Sequence, residues 1–208
     1  MILKTMILKI PIYGKNSDEL SIVGKSFEEA RSSISSLILQ LSDKNKELNT
    51  LYITDKLTGI YNRHKLDITL AHEENMAKRY NHNFGVILLD IDNFKSVNDT
   101  YGHLQGDKVL VNVAMILKEN IRRTDTLGRW GGEEFLIIVS KTNKQDLLEL
   151  SKKLKDLIAN YDFGLDRQVT ASFGLALYKE DLVTLLKKAD NALYKIKNNG
   201  KNNICLFS

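Results

Sequence analysis

Apolar residues between positions 26 and 54 recur at the seven-residue spacing of a coiled-coil helix. One row consists of Phe27, Ile34, Leu41 and Leu48, and a second row, three positions later, consists of Ala30, Leu37, Lys44 and Leu51. Lys44 is the only polar residue in either row, and the stretch contains no glycine or proline. This spacing predicts a parallel coiled coil over residues 26–54. The alternative is an amphipathic helix that packs on its own domain.

From residue 55 onward, helical and strand patterns alternate along the chain. The predicted helices span residues 62–80, 94–101, 104–122, 144–160 and 181–197, and the predicted strands span residues 84–90, 126–129, 134–139, 169–177 and 203–207. The first strand is a continuous apolar run, which is typical of a strand buried on both faces. The second and third strands flank Trp130-Gly131-Gly132 and predict a β-hairpin. The alternation predicts an α/β fold in which helices flank a mixed central β-sheet.

Composition argues against several classes of protein. The 208 residues carry a formal net charge of +4, with lysines scattered among acidic residues, so nucleic acid is not an expected partner. Cys205 is the only cysteine, which excludes a disulfide framework and favours a reducing cytoplasm. No apolar run approaches the roughly 18 residues of a membrane-spanning helix. The apolar opening, residues 1–10, is interrupted by Lys4 and Lys9 and is predicted to be extended, not a signal peptide.

Acidic residues stand where two of the predicted strands meet their turns. Asp90 and Asp92 end the first strand, and Glu133 and Glu134 directly follow the double glycine of the hairpin. If these strands are neighbours, the carboxylates converge at one edge of the sheet. Such hard oxygen ligands suit Mg²⁺, whereas the sequence has no histidine or cysteine cluster for zinc. Taken one at a time, the same acids could be solvated turn residues.

The sequence around these acids resembles a known family. Gly131-Gly132-Glu133-Glu134-Phe135 matches the name motif of GGDEF domains, the diguanylate cyclases, in its Glu variant. Further segments resemble that family in the same order: DKLTGIYNR at 55–63, DIDNFK at 90–95, NDTYGH at 98–103, GD at 106–107, SFG at 172–174 and ADNALY at 189–194. These motifs cover about Thr54 to Ile204. The resemblance implies the α/β fold of GGDEF domains, similar to the palm of nucleotidyl cyclases.

The resemblance also implies a divalent-metal site and a catalytic centre. Asp90, Glu133 and the carbonyl oxygen of Ile91 would bind Mg²⁺ or Mn²⁺, with Glu134 nearby as a further catalytic carboxylate. Glu133 would assist the deprotonation of the attacking hydroxyl group.

Further residues are assigned to GTP by the same resemblance. Asn98 and Asp107 would read the guanine edge, because an aspartate accepts from the N1 and N2 donor pair that adenine lacks. Backbone amides at a helix start and three lysines would bind the phosphates: Asn93, Phe94, Lys95, Lys197 and Lys201. Lys201 stands where the family pattern has arginine, so its grip on phosphate would lack the bidentate fork.

The implied activity is the condensation of two GTP molecules into cyclic di-GMP and two pyrophosphates. One site per chain then requires a homodimer, which the coiled coil would promote. Arg122 and Asp125 form an Arg-x-x-Asp pattern five residues before the double glycine, which resembles the family's inhibitory site for the product. A surface ion pair is the ordinary explanation of that pattern. The alternative function is a catalytically weak GGDEF module that senses GTP or cyclic di-GMP.

Residues 8–30 resemble the connector and second helix of a HAMP domain, with Ser21 in place of the usual glycine. The expected domains are a HAMP-like remnant or extended connector at 1–25, a coiled-coil signalling helix at 26–54 and the diguanylate cyclase domain at 55–208. The chain is expected in the cytoplasm, alone or as the cytoplasmic part of a membrane receptor. A membrane link is expected only if the full-length protein has an upstream transmembrane region.

Overall fold

The computed structural model describes residues 18–80 and 82–207, without the side chains of residues 18–20 and 45–51. The chain divides into two compact units, residues 1–49 and 50–208. The predicted extended segment at 1–10 and most of the HAMP-like connector at 1–25 lie outside the described residues.

A long helix, α1, spans Asp18–Ile53. It begins before residue 26, where the heptad pattern starts, so residues 18–25 of the expected connector are helical. Gly24 lies in this early part and costs a helix only about 1 kcal/mol relative to alanine. Extending an existing helix requires fixing only one residue per hydrogen bond, so the long helix continues through this position.

Apolar side chains of α1 are exposed in the single chain. Phe27, Ile34, Leu37 and Leu41 are each more than half exposed, whereas the side chains of Leu48 and Leu51 are outside the described part. Covering such a row would remove apolar surface from water and is therefore favourable. No helix within the described ranges is long and apolar enough to span a membrane.

Within its described residues, the second unit contains a five-stranded sheet in the order β2-β3-β1-β4-β5. The strands are β1 (Phe84–Ile91), β2 (Thr126–Gly131), β3 (Glu134–Ser140), β4 (Ala171–Leu177) and β5 (Ile204–Leu206). The helices are α2 (Arg63–Tyr80), α3 (Phe94–Tyr101), α4 (His103–Asn120), α5 (Lys144–Asn160) and α6 (Leu182–Asn198). Strand β1 is antiparallel to β3 and β4, and β4 is parallel to β5. The predicted mixed sheet flanked by helices is confirmed.

Strand β1 lies at the centre of the sheet and contributes to the core on both faces. Ile87, Leu89 and Ile91 are buried in the cluster that contains the apolar sides of α4 and α5. Val86 and Leu88 are buried in the cluster that contains those of α2 and α6. Because successive strand residues point to opposite faces, only a continuous apolar run can fill both clusters.

Close contact between β4 and α6 depends on a glycine of the SFG segment. A Cβ atom at Gly174 would lie 2.1 Å from the backbone oxygen of Ala189, which is in α6. Since backbone cannot move aside as a flexible side chain can, any larger residue would push α6 away from the sheet. Gly174 therefore fixes the depth of the helix that carries Lys197.

The helix predicted to end at residue 122 ends at Asn120 instead. The following residues form a turn in which the Asp125 N–H donates to the Arg122 carbonyl oxygen at 3.0 Å. The Arg122 N–H in turn donates to Asp125 Oδ2 at 3.1 Å. An aspartate that accepts from nearby backbone N–H groups competes with helix formation, which explains the earlier end.

Candidate active site

The acids of the two strands lie at one edge of the sheet. In the ladder between β1 and β3, Asp90 is directly opposite Glu134. The Ile91 N–H donates to the carbonyl oxygen of Glu133 at 3.4 Å. Because the two strands are antiparallel, the end of β1 meets the beginning of β3. Asp90, Glu133 and Glu134 are called the carboxylate edge below.

Negative charge accumulates at the carboxylate edge. Burial raises the pKa of Asp90, and the carboxylates of Glu133 and Asp92 add to the rise while Lys197 opposes it. Burial also raises the pKa of Glu134, and Asp90 contributes to that rise. A positive ion among these groups would relieve their repulsion and stabilise their ionised forms.

The ammonium group of Lys197 lies close to three oxygen atoms at the end of β1. Its Nζ lies 2.6 Å from Asp90 Oδ1, 3.0 Å from Asp92 Oδ1 and 3.4 Å from the Ile91 carbonyl oxygen. Two residues expected to bind metal, Asp90 and Ile91, therefore already face one cation. Within the described part of the chain, no group of three or more His, Cys, Asp or Glu side chains could hold a metal ion. The Asp90 carboxylate and the Ile91 carbonyl oxygen nevertheless fit Mg²⁺, because this ion binds one or two carboxylates and completes its shell with phosphate and water.

Helix α3 begins at Phe94, directly after the end of β1. The preceding residue, Asn93, has a φ of 56°, and its side chain makes no capping hydrogen bond to α3 within the described structure. Instead, Asn93 Oδ1 accepts a hydrogen bond from Lys201 Nζ. The first N–H groups of a helix lack partners inside it and favour a negatively charged group. Lys95 is exposed in this first turn, so the residues expected at the phosphates lie around the start of α3.

The two residues expected at guanine lie on neighbouring helices. Asn98 is on α3 and Asp107 is on α4. A Cβ atom at Gly106 would lie 1.9 Å from Asn98 Oδ1, so the Asn98 side chain packs directly over the Gly106 backbone. Asp107 lines a cavity of about 310 Å³ with Leu57 and Val111. Asn98 therefore lies against Gly106, which directly precedes Asp107 in the chain.

Arg122 and Asp125 line two cavities, of about 410 and 420 Å³, whose linings contain no member of the carboxylate edge. Burial raises the pKa of Asp125, against the hydrogen bond from the Arg122 N–H. Asp125 Oδ1 is buried without a hydrogen-bond partner among the described residues.

The sequence did not indicate that Arg129 links the hairpin turn to Asp55. Arg129 Nε donates to the Gly132 carbonyl oxygen at 2.8 Å, and its guanidinium group lies 3.3 Å from Asp55 Oδ1. Asp55 also accepts from the backbone N–H and the hydroxyl group of Thr58, at 2.9 and 2.7 Å. Although burial alone would raise it, these hydrogen bonds and Arg129 hold the pKa of Asp55 below its ordinary value. The Asp-x-x-Thr spacing could have indicated the local turn, but not the distant arginine.

Asp92 behaves differently from the acids with which the sequence grouped it. Its side chain is buried and accepts hydrogen bonds from the hydroxyl groups of Thr170 and Ser172 and from the Asn202 N–H. Burial alone would raise its pKa, but the hydrogen bonds, together with the one from Lys197, hold that pKa below its ordinary value. Ser172, from the SFG segment, is one of these donors.

A mixed sheet whose acidic hairpin adjoins the end of the central strand and the start of a short helix is the architecture of GGDEF domains. The family model described as "Diguanylate cyclase, GGDEF domain" matches residues 52–203. The chain belongs to this family.

Solved structures agree with this assignment. The coiled coil and GGDEF domain of DgcB from Caulobacter crescentus, in complex with c-di-GMP, match 87% of this chain and 99% of that chain, with a TM-score of 0.83 and 26% identity. Helix α1 fits the coiled coil that precedes the domain in DgcB. The active GGEEF domain of a diguanylate cyclase from Vibrio cholerae matches 71% of this chain and 97% of that chain, with a TM-score of 0.67 and 32% identity.

Curated relatives are longer proteins. The bifunctional diguanylate cyclase/cyclic di-GMP phosphodiesterase MucR of Pseudomonas aeruginosa is 38% identical over 185 residues, which are 86% of this chain and 27% of MucR. Across other relatives the chain spans from 25% to 56% of their length. Some of them are named diguanylate cyclases and others cyclic di-GMP phosphodiesterases.

Proposed function

We propose that the chain is a diguanylate cyclase that condenses two GTP molecules into cyclic di-GMP and two pyrophosphates. The observation that carries this proposal is the carboxylate edge, in which Asp90 lies opposite Glu134 and next to Glu133 at the start of α3. The Vibrio cholerae domain, whose GGEEF motif has the same residues as positions 131–135, is an active one.

In each half of the reaction, the 3′-hydroxyl oxygen of one GTP forms a bond to the α-phosphorus of the other. The bond between that phosphorus and the oxygen bridging to the β-phosphate breaks, and pyrophosphate leaves. The hydroxyl proton passes to a base, a role that we assign to Glu133. In the second half, the 3′-hydroxyl oxygen of the other nucleotide attacks the remaining α-phosphorus in the same way, a second pyrophosphate leaves and the ring closes.

Asp90, Glu133 and the Ile91 carbonyl oxygen would hold Mg²⁺ or Mn²⁺. When bound, this ion would neutralise phosphate charge and lower the pKa of the attacking hydroxyl group. The raised pKa of Asp90 and the approach of the Lys197 ammonium to Asp90 and Ile91 support a cation at this position.

Guanine would be bound by Asn98 and Asp107. The Asp107 carboxylate can accept from both N1 and N2 of guanine, and adenine has no such donor pair. The packing of Asn98 over Gly106 supports this role, because it holds the amide in a fixed position beside α4.

The triphosphate would lie at the start of α3. The amides of Asn93 and Phe94 would bind its oxygens, and Lys95, Lys197 and Lys201 would neutralise its charge. Lysine provides charge without the bidentate fork of arginine, so the Lys201 contact is a point-charge contact.

The product has two-fold symmetry, so two chains must bring their sites face to face. The exposed row of α1, Phe27, Ile34, Leu37 and Leu41, supports parallel pairing over residues 26–54 as the means of dimerisation. Parallel pairing sets both cyclase domains, residues 55–208, at the same end and raises their effective concentration. Lys44 at a core position would make the pairing marginal, as a signalling helix requires. Residues 1–25 would be a HAMP-like connector to an upstream sensor.

Product would inhibit the enzyme at Arg122 and Asp125. The guanidinium group suits phosphate and the guanine Hoogsteen edge, and the two cavities that Arg122 and Asp125 both line support a ligand there. The substrate GTP and the single cysteine favour the cytoplasm as the site of action.

Incubation of the purified chain with GTP and Mg²⁺, followed by chromatography of the nucleotides, tests the proposal. We expect cyclic di-GMP and pyrophosphate in a one-to-two ratio, no product from ATP, and none in EDTA. Glu133→Gln should remove turnover, and Glu180→Gln, an exposed acid elsewhere on the domain, should not. Wild-type protein that binds GTP without converting it would contradict the proposal and favour a sensor.

A further inference from the structure

Asp92 has an unusually complete set of hydrogen-bond partners for a residue at the edge of an active site. Its side chain is 1% exposed. Thr170 Oγ1 and the Asn202 N–H donate to Oδ2 at 2.8 and 2.9 Å. Ser172 Oγ donates to Oδ1 at 2.7 Å, and Lys197 Nζ lies 3.0 Å from the same oxygen. An ionised carboxylate has about four lone-pair positions, and four donors occupy them here.

This saturation separates Asp92 from the residues that could bind a metal ion. Asp90, two positions earlier, has a side chain that is 21% exposed and is in contact with Lys197. Asp92 has neither a lone pair to spare nor access to solvent. The role of Asp92 must therefore be to hold its four donors in place.

The donors come from two separate parts of the fold. Ser172 lies in β4, next to β1 in the sheet, and Thr170 directly precedes that strand. Lys197 belongs to the last turn of α6, and Asn202 to the turn that follows it. Asp92 therefore ties the α6–β5 turn to the end of β1.

Three successive residues of that turn have positive φ angles. Gly200, Lys201 and Asn202 have φ angles of 103°, 61° and 44°. Two successive non-glycine residues with positive φ are disfavoured sterically and are retained only where the surroundings hold them. The bond from the Asn202 N–H to Asp92 Oδ2 joins the strained turn to the sheet.

The same turn carries a cation to the start of α3. Lys201, between Gly200 and Asn202, donates to Asn93 Oδ1, and Lys197 lies against Asp90 and Asp92. We propose that Asp92 is a positioning residue for the triphosphate: through Asn202 and Lys197 it holds two lysines beside the start of α3. This role rests on the proposed function, because GTP is the ligand that the two lysines would serve.

The test compares a triphosphate with a monophosphate in variants of the intact chain. The probes are 3′-deoxyGTP, which lacks the attacking hydroxyl group, and GMP, which shares the guanine but not the β- and γ-phosphates. Asp92→Asn removes one acceptor oxygen and presents an amide group to donors. We expect it to weaken 3′-deoxyGTP binding by about tenfold or more and GMP binding by less than about twofold.

Ser172→Ala is the matched control, because it removes one donor and leaves the bonds to Asn202 and Lys197. It should bind 3′-deoxyGTP within about twofold of wild type, which a general loss of packing around Asp92 would not allow. Equal weakening of both nucleotides by Asp92→Asn, or of the triphosphate by both variants, would overturn the inference. So would a triphosphate effect that disappears in EDTA, since Asp92 would then act on the metal. Wild-type protein that binds neither nucleotide would instead contradict the proposed function and this role with it.

Amide hydrogen exchange gives a readout that does not depend on whether the Asp92 variant folds. In wild-type protein the Asn202 N–H should exchange slowly, because Asp92 shields it from water. Exchange at the rate of an unprotected amide would show that the turn is not held and would overturn the inference.

Discussion

Replacement of Gly106 by alanine should weaken the binding of GTP without unfolding the domain. The added Cβ would lie 1.9 Å from Asn98 Oδ1, and contacts under 3.0 Å essentially never occur, so the amide would have to move by about 1.1 Å (3.0 − 1.9). The nearest atoms are side-chain atoms of Asn98 and Phe94, not backbone, so the amide group can rotate away. An Asn98 displaced in this way no longer meets the guanine edge.

The expected magnitude follows from the hydrogen bonds that are lost. Neutral hydrogen bonds contribute about 0.5–1.5 kcal/mol each, and an amide can make two to guanine, so the loss is about 1–3 kcal/mol, or roughly 5- to 150-fold in affinity. Stability should change little, because alanine is better than glycine inside a helix by about 1 kcal/mol, which offsets the crowding.

Calorimetric titration with 3′-deoxyGTP measures the affinity, and thermal denaturation measures the stability. Gly106→Ala, Asn98→Ala and the double variant form a double-mutant cycle. If alanine at 106 acts by displacing Asn98, the double variant should bind no more weakly than Asn98→Ala alone. Met115→Ala, an exposed substitution further along the same helix, is the matched control.

Three results would contradict this reasoning. Wild-type affinity in Gly106→Ala would mean that the packed position of Asn98 does not matter for binding. Additive losses in the double variant would mean that the substitution damages the site by another route. Unchanged affinity in Asn98→Ala would contradict its assignment to guanine.

Three further predictions concern other parts of the proposal. Asp90→Asn should lose turnover yet raise the melting temperature in EDTA. Burial and like charges raise the pKa of Asp90 in the folded chain, so ionised Asp90 favours unfolding above that pKa. The gain in melting temperature should therefore be present at pH 7 and vanish by about pH 3. Equal gains at pH 7 and pH 3 would contradict this reasoning. Arg122→Ala should relieve inhibition by added cyclic di-GMP while initial rates stay within about twofold of wild type; progress curves measure this, and the absence of inhibition in wild type would exclude the site. Leu41→Glu and Leu48→Glu together should lower specific activity at low protein concentration, with partial recovery as concentration rises. Sedimentation that finds the same dimer and unchanged activity in that variant would mean that α1 does not drive association.

The sequence by itself determined the local elements of this protein. Residues 94–101 and 144–160 were predicted as helices, and α3 and α5 have these bounds. Helical spacing and strand alternation are set by near neighbours, so they can be read from a short window. The GGDEF resemblance was equally local, because its motifs are short segments with fixed residue types.

Only the tertiary structure showed which of the two neighbouring acids, Asp90 or Asp92, is surrounded by hydrogen-bond donors. Asp90 and Asp92 are two residues apart, so their positions in the strand pattern do not distinguish them. Three of the hydrogen-bond donors of Asp92 lie 78, 80 and 110 residues away, just before β4, in β4 and in the turn after α6. Arg129 reaches Asp55 across 74 residues in the same way. A carboxylate is free to bind a ligand only if packing has not already filled its lone pairs, and long-range packing is not written in a local pattern.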